Sequence, residues 1–90
     1  MAIAINPAYA PVYDLVGAAY TKLNQPALAR EAFHASLRLD AHDSTAYTNL
    51  GLLELAEGHR PAAASYFAEA LSLTPDSAIA REGLARTNSR

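Results

Sequence analysis

The apolar positions of this 90-residue chain recur with helical spacing, in stretches that pair off. Tyr13, Val16, Gly17 and Tyr20 stand at i, i+3, i+4 and i+7, which gathers them on one side of a helix. Tyr47, Leu50 and Gly51 repeat that spacing. A second kind of stripe, at i, i+4, i+7 and i+8, runs through Ala29, Phe33, Ser36 and Leu37, and again through Ala63, Phe67, Ala70 and Leu71. Between the stripes, Asn24 to Pro26 and Gly58 to Pro61 each set a turn former close to a proline, which a helix tolerates in its first turn. Turns this short predict antiparallel neighbours.

Sliding the sequence along itself until Tyr13 falls on Tyr47 also lays Gly17 on Gly51, Ala29 on Ala63, Phe33 on Phe67, Leu37 on Leu71 and Leu39 on Leu73, while Val16 meets Leu50. A fixed period of roughly 20–50 residues means that one supersecondary unit has been duplicated and stacked. Glycine inside a helix costs about 0.5–1 kcal/mol relative to alanine, so Gly17 and Gly51 at one register imply a contact that offsets the loss. The expected contact is with Ala29 and Ala63 on the facing helix, with Tyr13, Phe33 and their counterparts filling the space above.

The ends extend the pattern. Ala2, Ile3, Ile5, Asn6 and Pro7 line up with Ser36, Leu37, Leu39, Asp40 and Ala41, so the chain is expected to begin inside an earlier unit. From Ser77 onward, Ile79, Leu84 and Ala85 alternate with Arg81, Glu82 and Arg86, which predicts a helix apolar on one side and charged on the other. The expected organisation is a single domain: 1–8 a remnant of a preceding repeat or a tail, 10–43 and 44–77 two repeats, and 78–90 a closing helix. A repeat array needs about three units for a continuous core, so something is expected to cover the N-terminal end.

An aromatic, an aliphatic residue next to glycine, then alanine, phenylalanine, a small residue and proline, all in a unit of about 34 residues, resemble the tetratricopeptide repeat (TPR). The second unit carries the pattern as Tyr47, Leu50, Gly51, Ala63, Phe67, Ala70 and Pro75, and departs from it at Glu54, where the family usually has an aromatic. The first keeps Tyr13, Gly17, Tyr20, Ala29 and Phe33 but has Ser36 for alanine and Ala41 for the closing proline. The resemblance implies an all-α fold, a right-handed superhelical stack of antiparallel helix pairs made of two TPR units and a C-terminal capping helix.

It also implies a protein-interaction or scaffold module that binds a peptide or protein segment in a concave groove lined by the first helix of each unit. The groove positions would be Asp14, Ala18, Thr21 and Lys22 in the first unit, then Thr48, Asn49, Leu52 and Leu55 in the second. The family's best-known groove clamps an acidic C-terminal tail with lysines, arginines and asparagines, and only Asn49 resembles it. Lys22 is the sole base among these positions, so Leu52 and Leu55 point instead to an extended or helical peptide with apolar anchors. The alternative is self-association, a homo-oligomer formed through the outer face of the first helix at Val12, Ala19 and Leu23 together with Ile3 and Ile5. A further alternative makes the chain a fragment of a larger TPR-containing protein, such as an accessory domain of an enzyme.

Composition narrows the remaining classes. The chain is 51% apolar and only 18% charged, which suits close-packed helices. A net charge of −2 with no dominant basic face argues against a nucleic-acid partner, and Arg81, Arg86 and Arg90 read as a solvated last helix. No apolar run approaches the roughly 18–20 residues a bilayer needs, and MAIAI lacks the basic flank of a secretory signal, so no membrane partner is expected and the cytoplasm is the favoured compartment.

No arrangement for catalysis, cofactor or metal emerges, so the chain is not expected to be an enzyme. There is no cysteine, His34, His42 and His59 fall in separate segments, and four single glycines make no phosphate loop. Asp40 and Asp43 around His42 read as turn and helix-start residues. Glu54 is the oddity, because a carboxylate on a packing stripe must be solvated, paired or protonated. Solvation is the expectation.

Overall fold

The computed structural model describes residues 10–88. These hold five helices and no strand: α1 (Ala10–Lys22), α2 (Pro26–Leu39), α3 (Ser44–Ala56), α4 (Arg60–Leu73) and α5 (Ala78–Thr87). The segment 1–8, expected as a remnant of a preceding repeat or a tail, lies outside the described residues, as does Arg90.

The turns repeat from one unit to the next at the level of single atoms. Asn24 and Gly58 both take the left-handed conformation, with φ of 58° and 80°. One residue on, the Gln25 amide donates to the Tyr20 carbonyl at 2.9 Å and the His59 amide to the Glu54 carbonyl at 2.8 Å. Each helix is thereby closed by bonds to its orphan carbonyls, and the next begins with Pro26 or Pro61 in its first turn. The links between units use side chains. Asp43 caps α3 by accepting from the Ala46 amide, and Ser77 caps α5 by accepting from the Ala80 amide, both at 3.3 Å. Asp40 closes its own turn, its Oδ1 accepting from the His42 amide at 3.0 Å.

The core is two clusters in series. Ala29, Phe33, Leu50 and Leu53 form the first; Ala63, Phe67, Ala70 and Ala80 form the second. The atoms nearest to the Cβ positions of the recurring glycines belong to the phenylalanine rings. A Cβ on Gly17 would lie 2.4 Å from Cε1 of Phe33, and one on Gly51 2.7 Å from the same atom of Phe67. A phenyl ring occupies the space that any other residue would fill, which is the contact that offsets the glycine's cost. Gly83 on α5 does the same from the far side, its Cβ position only 2.3 Å from Cζ of Phe67. Ser36, standing where its counterpart is Ala70, is fully buried and donates its hydroxyl to the Ala10 carbonyl at 2.8 Å.

Two expectations are corrected by this packing. On α5 the inward residues are Ala80 and Gly83, with Leu84 against the second cluster, whereas Ile79 is 59% exposed and Ala85 also faces out. Val16, expected on the packing stripe, is 39% exposed although its counterpart Leu50 is fully buried. The difference lies in the neighbours: α3 has α2 packed on it, and no described helix stands in that place beside α1.

The helices form two layers. α1 touches α3 and α3 touches α5, while the backbones of α2 and α4 do not approach each other closely among the described residues. Second helices that stand apart behind first helices that touch bend the array toward the first-helix side. No described helix is long and apolar enough to cross a membrane.

Candidate interaction groove

Three cavities open along α1, α3 and α5 and run into one another through shared residues. One of about 370 Å³ lies between the N-terminal halves of α1 and α3, walled by Pro11, Leu15, Ala18 and Asn49, with Asp14 and Asp43 at its acidic end. A second of about 260 Å³, between the C-terminal halves, is bounded by Ala18, Thr21, Lys22, Asn49 and Leu52. A third of about 330 Å³ continues between α3 and α5, past Thr48, Asn49, Leu52, Thr74 and Ile79. Asn49 borders all three.

Asp14, Ala18, Thr21, Lys22, Thr48, Asn49 and Leu52 are therefore brought together along one groove. Leu55 is not. It lies i+8 from Tyr47 and i+4 from Gly51, and it is half-buried against the second core cluster. That spacing is present in the sequence and marks the residue as packing. Pro11, Leu15, Thr45 and Ile79 were missed as groove residues. Pro11, Thr45 and Ile79 occupy one and the same register in successive units, the signal that would have found them. Leu15, Leu52 and Ile79, exposed by 73%, 39% and 59%, give the groove its apolar character.

Two hydroxyls along the groove are already engaged within their helices. Thr21 donates to the Gly17 carbonyl and Thr48 to the Ser44 carbonyl, both at 2.9 Å. Asp14 is the unusual member, only 8% exposed. Burial first, then the neighbouring carboxyls of Asp43 and Asp40, push its carboxyl up to about 7. The Ser36 hydroxyl opposes this, although its single proton already serves the Ala10 carbonyl. Oδ1 of Asp14 and Oδ2 of Asp43 are buried oxygens that accept no hydrogen bond. Among the described residues neither carboxylate has an ion-pair partner.

A tetratricopeptide repeat profile matches residues 17–78 and again 48–88. The chain belongs to the tetratricopeptide repeat family. The TPR fold is also that of the crystal structure of MamA protein, which superposes with a TM-score of 0.85 at 21% identity, over 91% of this chain and 45% of that one. This chain thus spans less than half the length of that protein. TPR repeats are generally protein-interaction modules, and the fold is typically a non-catalytic scaffold.

The departure of this TPR chain at Glu54 is resolved by pairing, not by solvation. The Glu54 side chain is 12% exposed and accepts from Arg30 Nη2 at 2.6 Å and Nε at 3.2 Å. Arg30 also reaches Glu57 Oε1, and His59 Nδ1 stands 3.4 Å from Glu54 Oε2. These carboxylates, Glu54 first, raise the pKa of the guanidinium against a lowering by burial, so it stays charged. An arginine on the helix before was invisible to a reading of single helix faces, and it lets the second unit do without the aromatic held by the first at Tyr20. Ligand atoms of Glu54, Glu57 and His59 fall within 4.8 Å of one another, but the guanidinium already supplies the positive charge there.

Proposed function

We propose that this chain is a non-enzymatic protein-interaction module that holds a peptide or protein segment along the groove of α1, α3 and α5. The observation that carries the reading is the collection of Leu15, Leu52 and Ile79, large apolar side chains left in water, on one continuous groove. Scattered exposed apolar residues mean little, but their convergence on a concave surface marks a contact site. The apolar anchors and the shortage of bases favour a segment with apolar side chains over an acidic tail.

Panning a displayed random dodecapeptide library against the purified chain tests this. Peptides that are retained should lose at least tenfold in affinity toward Leu52→Asp/Ile79→Asp, two exposed positions whose change leaves the core alone. Retention that ignores both substitutions would place binding elsewhere.

A second reading, self-association, is favoured by the uncovered face of α1. Val16 and Ala19 are exposed where their counterparts Leu50 and Leu53 are 0% and 5% exposed, and Leu23 is exposed by 67%. Light scattering across a wide concentration range decides it: a stable dimer dispersed by Val16→Lys/Leu23→Lys supports it, and a monomer throughout removes it.

A further inference from the structure

The acidic end of the groove singles out one feature of the ligand. Asp14 comes from the middle of α1 and Asp43 from the cap of α3, so the packing of α3 against α1, not either helix alone, brings the two residues to one cavity. Asp14 is more than nine-tenths buried with Oδ1 unpartnered, and it borders a cavity of about 370 Å³ that opens into the rest of the groove. Two facing carboxylates with unfilled acceptor positions are costly unless a proton or a cation joins them.

We propose that this cavity seats a basic side chain, so that the segment held in the groove carries a lysine or arginine whose charged head meets Asp14 and Asp43. This rests on the groove reading and names the chemistry of its ligand. The aliphatic stem of such a residue would lie along Pro11, Leu15 and Ala18, with its head on the carboxylates. An apolar neighbour in the same segment would reach Leu52, since Ala18 and Asn49 border both cavities. The rest of the surroundings fit this arrangement: Asp40 adds negative charge, and Ser36 has its proton committed to Ala10.

Proton linkage gives the proposal a signature that packing alone would not produce. A cation favours the ionised carboxyl, so binding has to expel the proton that Asp14 otherwise keeps. If only the ionised form binds, affinity rises about tenfold between pH 6 and pH 8.

The experiment starts from the peptides retained in the dodecapeptide panning, restricted to those without histidine, and uses calorimetric titration at pH 6 and pH 8. The expected result is a shared lysine or arginine whose replacement by norleucine lowers affinity at least tenfold. It also includes the rise with pH in the wild type and a flat profile in Asp14→Asn. In Asp14→Asn/Asp43→Asn, where asparagine still caps α3, the norleucine replacement should no longer matter. Retained peptides that share no base, or a base whose loss costs the same in the Asn variants, overturn the cation seat while leaving the groove intact. Retention unaffected by Leu52→Asp/Ile79→Asp, or no retention at all, overturns the groove reading and this inference with it.

Discussion

The two helix pairs have the same length, turns and packing stripes, yet they meet different neighbours. Phe33 sits against one glycine, Gly17, whereas Phe67 is gripped between Gly51 on one side and Gly83 on the other. α3 is covered by α2, but the equivalent face of α1 is open at Val16, Ala19 and Leu23. In a stacked array a position's burial is decided by the next unit as much as by its own residue type. The same register can therefore hold a core leucine in one unit and an exposed valine in the other.

The largest effect expected on this comparison comes from emptying the two ring sites. Phe67→Ala and Phe33→Ala should each cost about 3–5 kcal/mol by urea unfolding, with Phe67→Ala the worse because that ring fills the space against two glycines, Gly51 and Gly83, rather than one. Equal costs would mean that α5 adds nothing to the second cluster.

The next effect concerns register 14/48, where the first unit has buried Asp14 and the second has half-buried Thr48. The Asp14 carboxyl is raised from 3.8 to about 7 in the fold, so the folded state holds its proton more tightly than the unfolded state. Its contribution is fully present below about pH 4 and is lost as pH rises through about 7. Stability measured at pH 5 should exceed that at pH 7.5 by about 2 kcal/mol, and Asp14→Thr should flatten the difference. A slope that persists in Asp14→Thr would move its origin to another group.

The smallest effect lies in the paired turns. Asn24→Gly gives the first turn the residue of the second at a left-handed φ, and should raise stability by a few tenths of a kcal/mol up to about 1. Thermal melting reads the change, and a decrease would mean that the Asn24 side chain contributes more than its backbone costs.

The local signals in the chain were sufficient for the frame. Period, stripes and turn residues placed the helix pairs, and the pair of prolines with Asn24 and Gly58 marked where the chain reverses. The candidate groove positions came from two sources: the resemblance named the helices that would line it, and spacing said which residues share a face. Leu55 is misplaced when its i+4 relation to Gly51 is passed over, and Ile79 falls on the wrong face of α5 because a helix with both small and large apolar residues does not say which set packs.

The sequence by itself determined the helices and their turns, since these rest on interactions within a few residues of one another, and the repeating unit and the family, since the same residue types recur at one register along the chain. Only the tertiary structure decided that Glu54 is paired with Arg30, that Phe67 is clasped by two glycines, and that Asp14 and Asp43 share a buried corner of the groove. Each of these joins residues that no local spacing connects, and the free energy of a charge or a ring depends on what stands across from it.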